Sequence, residues 1–176
     1  MKGIIVFKGK YGATHQYADW VGQELSWPVI DADHASGSSV APYETIIIGG
    51  SIYVGKWLMR DWVKKNLTAL ANKKLVIFIV AGTSPDEKDK LALIAKRNIP
   101  DEIKNRCEIY FLHGRMIRKN ISGMDRFLLK VGAMMVRDPQ EKKNMLSEFD
   151  DVKKEYILPI LRAVKHPPVP QHQALK

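Results

Sequence analysis

Near the start of the chain the residues Phe7-Lys8-Gly9-Lys10-Tyr11-Gly12-Ala13-Thr14-His15 combine two cations, two glycines and a hydroxyl in one short stretch. An apolar run, Gly3 to Phe7, leads into it, and Tyr17, Ala18, Val21 and Leu25 recur behind it at helical spacing. A buried strand that ends in a glycine loop and then a helix leaves several backbone N–H groups unpaired and aimed at one point. The positive end of the helix dipole adds to them, and the sum is a site for a phosphate. Lys8, Gly9, Lys10, Tyr11, Gly12, Ala13 and Thr14 are therefore expected to cradle the phosphate of a cofactor. Thr14 either caps the helix or donates its hydroxyl. His15 is read as a solvated helix residue that also lies within range of the phosphate.

The order of elements decides which other residues can join this loop. Ile4 to Phe7 reads as strand 1, Thr14 to Leu25 as a helix and Pro28 to Asp31 as strand 2. Residues 32–42 form a polar, turn-rich loop around Ser36-Gly37-Ser38-Ser39. Thr45 to Gly49 is a continuous branched strand, as expected when both faces of a sheet are covered. Leu58 to Leu70 reads as a helix, Leu75 to Val80 as strand 4 and Glu108 to Leu112 as strand 5. Between the last two, Pro85 to Arg97 reads as a helix introduced by Ser84-Pro85-Asp86-Glu87, an N-cap serine, a first-turn proline and early acids. Glu141 to Lys165 reads as the closing helix. His166-Pro167-Pro168-Val169-Pro170 cannot continue it, because proline lacks the N–H, so 166–176 is set apart as a tail from a domain spanning 1–165.

Strands alternating with helices specify a parallel, doubly wound sheet with right-handed crossovers, whose ligands sit beyond the carboxyl ends of the strands. Lys8 to Thr14, Gly49 to Trp57 and Ala81 to Pro85 converge there. His113 stands at the same edge, where it meets either a substrate or a neighbouring backbone group.

Composition narrows the function classes. The chain has 176 residues, 45% hydrophobic and 27% charged, which suits one globular domain with a full core. No apolar run is long enough to span a bilayer, and the start enters a strand at once, so neither a spanning helix nor a secretory signal is expected. The single cysteine, Cys107, opens an apolar run and is read as core in a reducing, cytoplasmic setting. Five histidines and one cysteine form no metal-ligand spacing, and no catalytic triad is discernible. The net charge of +9 asks for an acidic partner or an anionic surface. Nucleic acid is the disfavoured partner, because the basic residues are spread out and no reading motif accompanies them.

On these residues the chain resembles the flavodoxins. Gly9-Lys10-Tyr11-Gly12-Ala13-Thr14 stands where that family carries its phosphate loop. Gly50-Ser51-Ile52-Tyr53-Val54-Gly55 is similar to its second flavin loop, and Ala81-Gly82-Thr83-Ser84 is placed like the third. Gly-x-Ser-Ile-x-x-Gly together with the later Met124-Asp125-Arg126-Phe127-Leu128-Leu129-Lys130 resembles more narrowly the menaquinone-dependent protoporphyrinogen oxidases. The resemblance covers roughly residues 1–165. It implies a flavodoxin-like three-layer α/β sandwich with five parallel strands in the order 2-1-3-4-5 and a basic helical segment inserted after strand 5. It also implies FMN as the cofactor, held by residues 8–14 together with Ser51, Ile52, Tyr53, Val54, Gly55, Ala81, Gly82 and Thr83. Tyr53 is the residue to stack on the flavin ring, with Trp57 as the second choice. Gly49, Gly50 and Gly55 would let the backbone approach the ring. Gly9 and Tyr11 depart from the family pattern, which carries hydroxyls there, and Lys8 or Lys10 would replace those bonds with charge-assisted ones.

Residues 114–137 separate the chain from a minimal flavodoxin. Arg115, Arg118, Lys119, Arg126, Lys130 and Arg137 face the single acid Asp125, with Met124, Phe127, Leu128, Val131 and Met135 at helical intervals between them. Such a helix either buries one face on the core or lies beside the flavin, where Arg115, Arg118 and Lys119 would contact an anionic substrate or an anionic membrane. Three functions follow. One is a protoporphyrinogen-oxidase-like oxidoreductase passing electrons to a quinone, and the second is an electron carrier without a substrate of its own. The third is a flavin-free binding module on the same scaffold.

Overall fold

Gly3 to Phe7 are all buried in β1 (Gly3–Lys8), yet their side chains divide between two cores. Ile4 and Val6 point to one face of the sheet and Ile5 and Phe7 to the other, as the period of two in a strand requires. The computed structural model describes residues 2–117, 119 and 122–165. After β1 come α1 (Ala13–Leu25), β2 (Val29–Asp31), α2 (Gly37–Val40), β3 (Thr45–Tyr53), β4 (Lys56–Trp57), α3 (Arg60–Lys65), α4 (Leu67–Leu70), β5 (Lys74–Ala81), α5 (Lys88–Asn98), α6 (Asp101–Lys104) and β6 (Cys107–His113). The strands lie in the order β2-β1-β3-β5-β6, every neighbouring pair parallel. This is the expected 2-1-3-4-5 sheet, and β4 is a hairpin strand folded back antiparallel on the end of β3.

One core packs α3, α4 and α6 against Ile46, Ile48, Leu75, Ile77 and Ile79, with Trp57, Met59, Trp62 and Val63 filling it. The other packs Tyr17, Ala18 and Val21 of α1, with Ile160, Leu161 and Val164 of α9 (Leu158–Lys165), against Ile5, Ile47, Val76 and Phe78. Together they form the three layers of the sandwich.

Several elements differ from the sequence reading. The helix expected over 58–70 breaks at Asn66, whose side-chain amide donates to the Trp62 carbonyl at 2.8 Å and competes for the helical bond there. The helix expected from Pro85 starts at Lys88, because Ser84 to Glu87 close a turn of their own: Glu87 N–H donates to the Ser84 carbonyl at 3.0 Å and Ser84 N–H to the Glu87 carboxylate at 3.2 Å. The single closing helix expected over 141–165 is three pieces. These are the end of α8 (Pro139–Leu146), β8 (Phe149–Asp150), and a 3-10 turn, Lys154–Ile157, leading into α9. β8 pairs antiparallel with β7 (Arg115–Met116), so the insertion runs past residue 137 and is pinched shut at its base. Between the pinched strands lie α7 (Gly123–Met135) and α8. The tail 166–176 and Arg118 lie outside the described residues.

Candidate functional site

β1 delivers its last residue, Lys8, to the carboxyl edge beside Gly50 of β3. The chain then turns into α1 through Gly12, which has φ +83° and open space where a side chain would stand. The left-handed backbone, rather than crowding, is what suits glycine here. No side chain caps α1 at Gly12, so the N–H groups of Ala13, Thr14 and His15 have no partner within the helix and converge outside it. Thr14 is 1% exposed, and a Cβ at Gly9 would lie 2.6 Å from the Thr14 Cβ. A side chain at position 9 would therefore collide with Thr14 beneath the loop. Lys8 pairs with Asp33. His15 is exposed, stacks on Phe7 at 4.8 Å and pairs with Asp19 at 3.4 Å.

The second loop is a tight hairpin. Val54 and Gly55 both have positive φ, +47° and +74°, the pairing that joins two strands through a two-residue turn. Valine resists that conformation, so the turn is held from outside. Asn98, 3% exposed at the end of α5, accepts from Trp57 N–H at 2.8 Å and donates to the Gly55 carbonyl at 3.1 Å. Of the glycines offered for close approach to a ring, Gly55 alone is both left-handed and open. Gly49 and Gly50 face Phe78 and Trp57, which a Cβ would meet at 2.0 and 2.2 Å. Trp57 is 2% exposed and packs under the loop, which removes it as a stacking residue. The third loop follows β5: Ala81 accepts from Gly114 N–H at 2.9 Å, the Gly82 carbonyl faces His113 Nε2 at 3.3 Å, and Thr83 lies beyond.

The inserted segment reaches into this cluster. Ser122 caps α7 by accepting from Asp125 N–H at 3.2 Å, and the Asp125 carboxylate, 3% exposed, turns inward. It accepts from Lys10 Nζ at 2.9 Å and from the Tyr53 hydroxyl, while Lys10 Nζ also sits 3.7 Å over the centre of the Tyr53 ring. The Tyr53 hydroxyl first, and then Lys10 and Ser122, hold the Asp125 carboxyl down at about 2 despite its burial. Tyr53 first, and then the same carboxylate, raise Lys10, while burial, with the charge of Asp125 added, pushes Tyr11 up to about 12.

A glycine turn into an uncapped helix, an aromatic second loop and a short third loop share one sheet edge, the arrangement that the resemblance to flavodoxins implies. The flavodoxin domain model matches residues 4–143. The chain belongs to this family. Solved structures similar to this flavodoxin domain include a flavodoxin from the domain Archaea (18% identity, 81% of this chain and 99% of that one, TM-score 0.44). Flavodoxin 1 from Bacillus cereus (16%, 72% and 94%, 0.46) and the Trp repressor binding protein from Bacillus subtilis (14%, 64% and 85%, 0.45) are others. No curated protein sequence matches the chain.

A flavodoxin domain has the capacity to bind FMN, and the residues present fit that group. The Ser51 hydroxyl is buried near the end of β3 without a hydrogen-bond partner, an orphaned polar atom at the second loop. The uncapped N-terminus of α1 supplies the donors for a phosphate. A ring stacked on Tyr53 would have to displace Lys10 from that face. The cleft beside the phosphate loop, about 450 Å³, opens to the other side, between α1 and β2. Its lining includes Gly9, Gly12, His15 and Asp31 and no residue of the second or third loop.

In this flavodoxin domain the remaining candidate residues are engaged elsewhere. His113 Nδ1 lies 2.9 Å from the Asp151 carboxylate and its ring stacks on Phe149 at 5.0 Å, so backbone and carboxylate partners hold it at the sheet edge. Lys153, His113 and Tyr156 keep Asp151 well below the usual carboxylate range. Arg115 donates to Asp150 at 3.2 Å and to Gln16 at 2.9 Å, tying the base of the insertion to α1, whereas Lys119 is exposed. Cys107 is half-buried, and burial raises its thiol to about 11, against a role as nucleophile. Among the described residues no set of His, Cys, Asp or Glu could hold a metal ion. Sequence reasoning missed Asn98 and the inward role of Asp125. For Asp125 a signal existed, a lone acid preceded by a serine three residues back at a helix start.

Proposed function

We propose that this chain is an FMN-binding electron-transfer module. The flavodoxin domain match carries the reading, supported by three loops that leave the same edge of the sheet and by an unpartnered Ser51 hydroxyl near the end of β3. Bound FMN would supply the redox chemistry; the protein supplies position and charge. The N–H groups opening α1, with Thr14 and Lys10, would hold the phosphate. Tyr53, Gly55 and the Ala81-Gly82-Thr83 turn would flank the ring. With a net charge of +9, the favoured redox partner is acidic.

A second reading, an oxidoreductase that takes electrons from a reduced tetrapyrrole and passes them to a quinone, is favoured by one observation. The insertion places Asp125 among the cofactor loops, which a plain carrier does not need.

FMN titration of the purified protein, followed by flavin fluorescence and visible absorbance after desalting, tests the proposal. Retained flavin supports it, and protein that stays colourless leaves only a flavin-free module. Ser51→Ala sharpens the test. Without FMN it should not lower stability, since it removes an unpaired hydroxyl, but it should weaken FMN by about 1 kcal/mol. Oxidation of a reduced tetrapyrrole above the rate of free FMN would select the second reading.

A further inference from the structure

α7 buries the wrong residues for an ordinary surface helix. Asp125 and Ala133 face the body, while Met124, Phe127, Val131, Met134 and Met135 are 67%, 62%, 39%, 77% and 82% exposed. At helical spacing these five fall on one stripe, opposite the packed side. Elsewhere among the described residues the large exposed apolar side chains are single: Val54, Leu93 and Leu158. Scattered ones need no explanation, but a contiguous stripe of methionine, valine and phenylalanine does.

The surrounding charge says what covers it. Arg126 and Lys130 lie along one flank of the stripe, and Lys119 and Arg137 lie just beyond the two ends of the helix, all exposed. The only acid on α7 is Asp125, which is turned inward and spent on Lys10 and Tyr53. A second copy of this chain would bring an identical basic flank to the interface, with no acid on the exposed face of α7 to neutralise it. An apolar stripe flanked along its helix by arginine and lysine instead matches the boundary of an anionic bilayer, where side chains enter the acyl region and lysine and arginine meet headgroups. No described helix is long and apolar enough to cross a membrane, so the contact is peripheral. We infer that α7 is a membrane-docking helix, laying Met124, Phe127, Val131, Met134 and Met135 into the interface of an anionic lipid surface.

Co-sedimentation of the full chain with phosphatidylcholine vesicles, with and without phosphatidylglycerol, is the test, and it does not depend on FMN. The expected result is binding to the anionic vesicles alone. Lys130→Glu should cut partitioning by about fivefold or more, and Phe127→Glu with Met134→Glu should abolish it. Leu93→Glu, an exposed apolar residue on α5, should leave it unchanged. Circular dichroism and FMN titration of each variant show that fold and cofactor site are intact, so a failed FMN reading and a failed docking reading remain distinguishable. No binding to any vesicle overturns the inference, as does equal loss with Leu93→Glu. A dimer in sedimentation velocity that Phe127→Glu dissociates also overturns it, and assigns the stripe to a second copy.

Discussion

In the proposed FMN site, Asp125 would set Lys10 and Tyr53 against the cofactor. Its carboxylate holds the Lys10 ammonium over the face of Tyr53, where a flavin ring would stack, and would compete with a phosphate for the same charge. Asp125→Asn keeps the shape and removes the charge, so Lys10 is released. FMN affinity, read by fluorescence titration, should then rise about three- to tenfold, the scale of one charge-assisted bond. Weaker binding would mean that Asp125 positions Lys10 for the cofactor and does not compete with it. Acid separates the cases further. The carboxyl is depressed from 3.8 to about 2, so its tie to Lys10 and Tyr53 is fully present above the ordinary value and fails as pH falls through about 2. Amide exchange in the second loop should quicken in that window in the wild type, while Asp125→Asn should be fast throughout. The sequence showed Lys10 and Tyr53 through local cues, a glycine loop and an aromatic after a buried strand. It could not show Asp125 meeting them, because the partners lie 115 and 72 residues away and only the folded insertion brings them together.

At the scale of elements, the hairpin β3–β4 depends on a residue from another crossover. Asn98 bridges Trp57 N–H, the Gly55 carbonyl and the Ile94 carbonyl from a buried position. Asn98→Ala strands a buried backbone donor and a cavity, and should cost about 2–3 kcal/mol in urea unfolding. The Trp57 amide should lose exchange protection before the rest of β3. Uniform loss across the sheet would instead make Asn98 a general core residue with no special hold on the loop. The five parallel strands were legible, because buried strands announce themselves as branched runs between turns. This hairpin was not, since its turn is Val54-Gly55 and valine gives no signal for a left-handed position. The 3-10 turn and β8 were hidden for a related reason: Glu141 to Lys165 keeps a helical pattern that tertiary pairing of Phe149 and Asp150 with β7 overrides.

For the molecule as a whole, the insertion behaves as an attachment to a finished domain. Neither core contains a residue between Arg115 and Asp150. The chain enters and leaves at nearly the same point, for Asp151 N–H donates to the Gly114 carbonyl at 3.2 Å and Gly114 N–H to Ala81. Across the junction, Asp151 holds His113 at 2.9 Å and Tyr156 at 2.8 Å, contacts that do not require the segment between. A chain in which a short glycine linker joins Gly114 to Asp151 should therefore fold, with both cores whole and a thermal midpoint within several degrees of the parent. Among the described contacts, the losses lie at the edge: Asp125 to Lys10 and Tyr53, Arg115 to Gln16, and Phe149 against His113 and Gly82. The same excision removes two functions that α7 carries on opposite faces, Asp125 toward the loops and the apolar stripe toward the outside. It should match Asp125→Asn in FMN affinity and lose vesicle binding altogether. If the shortened chain folds but binds FMN more weakly than Asp125→Asn, the insertion helps to build the site. If it fails to fold, α7 and α8 belong to the domain's stability as much as to its surface.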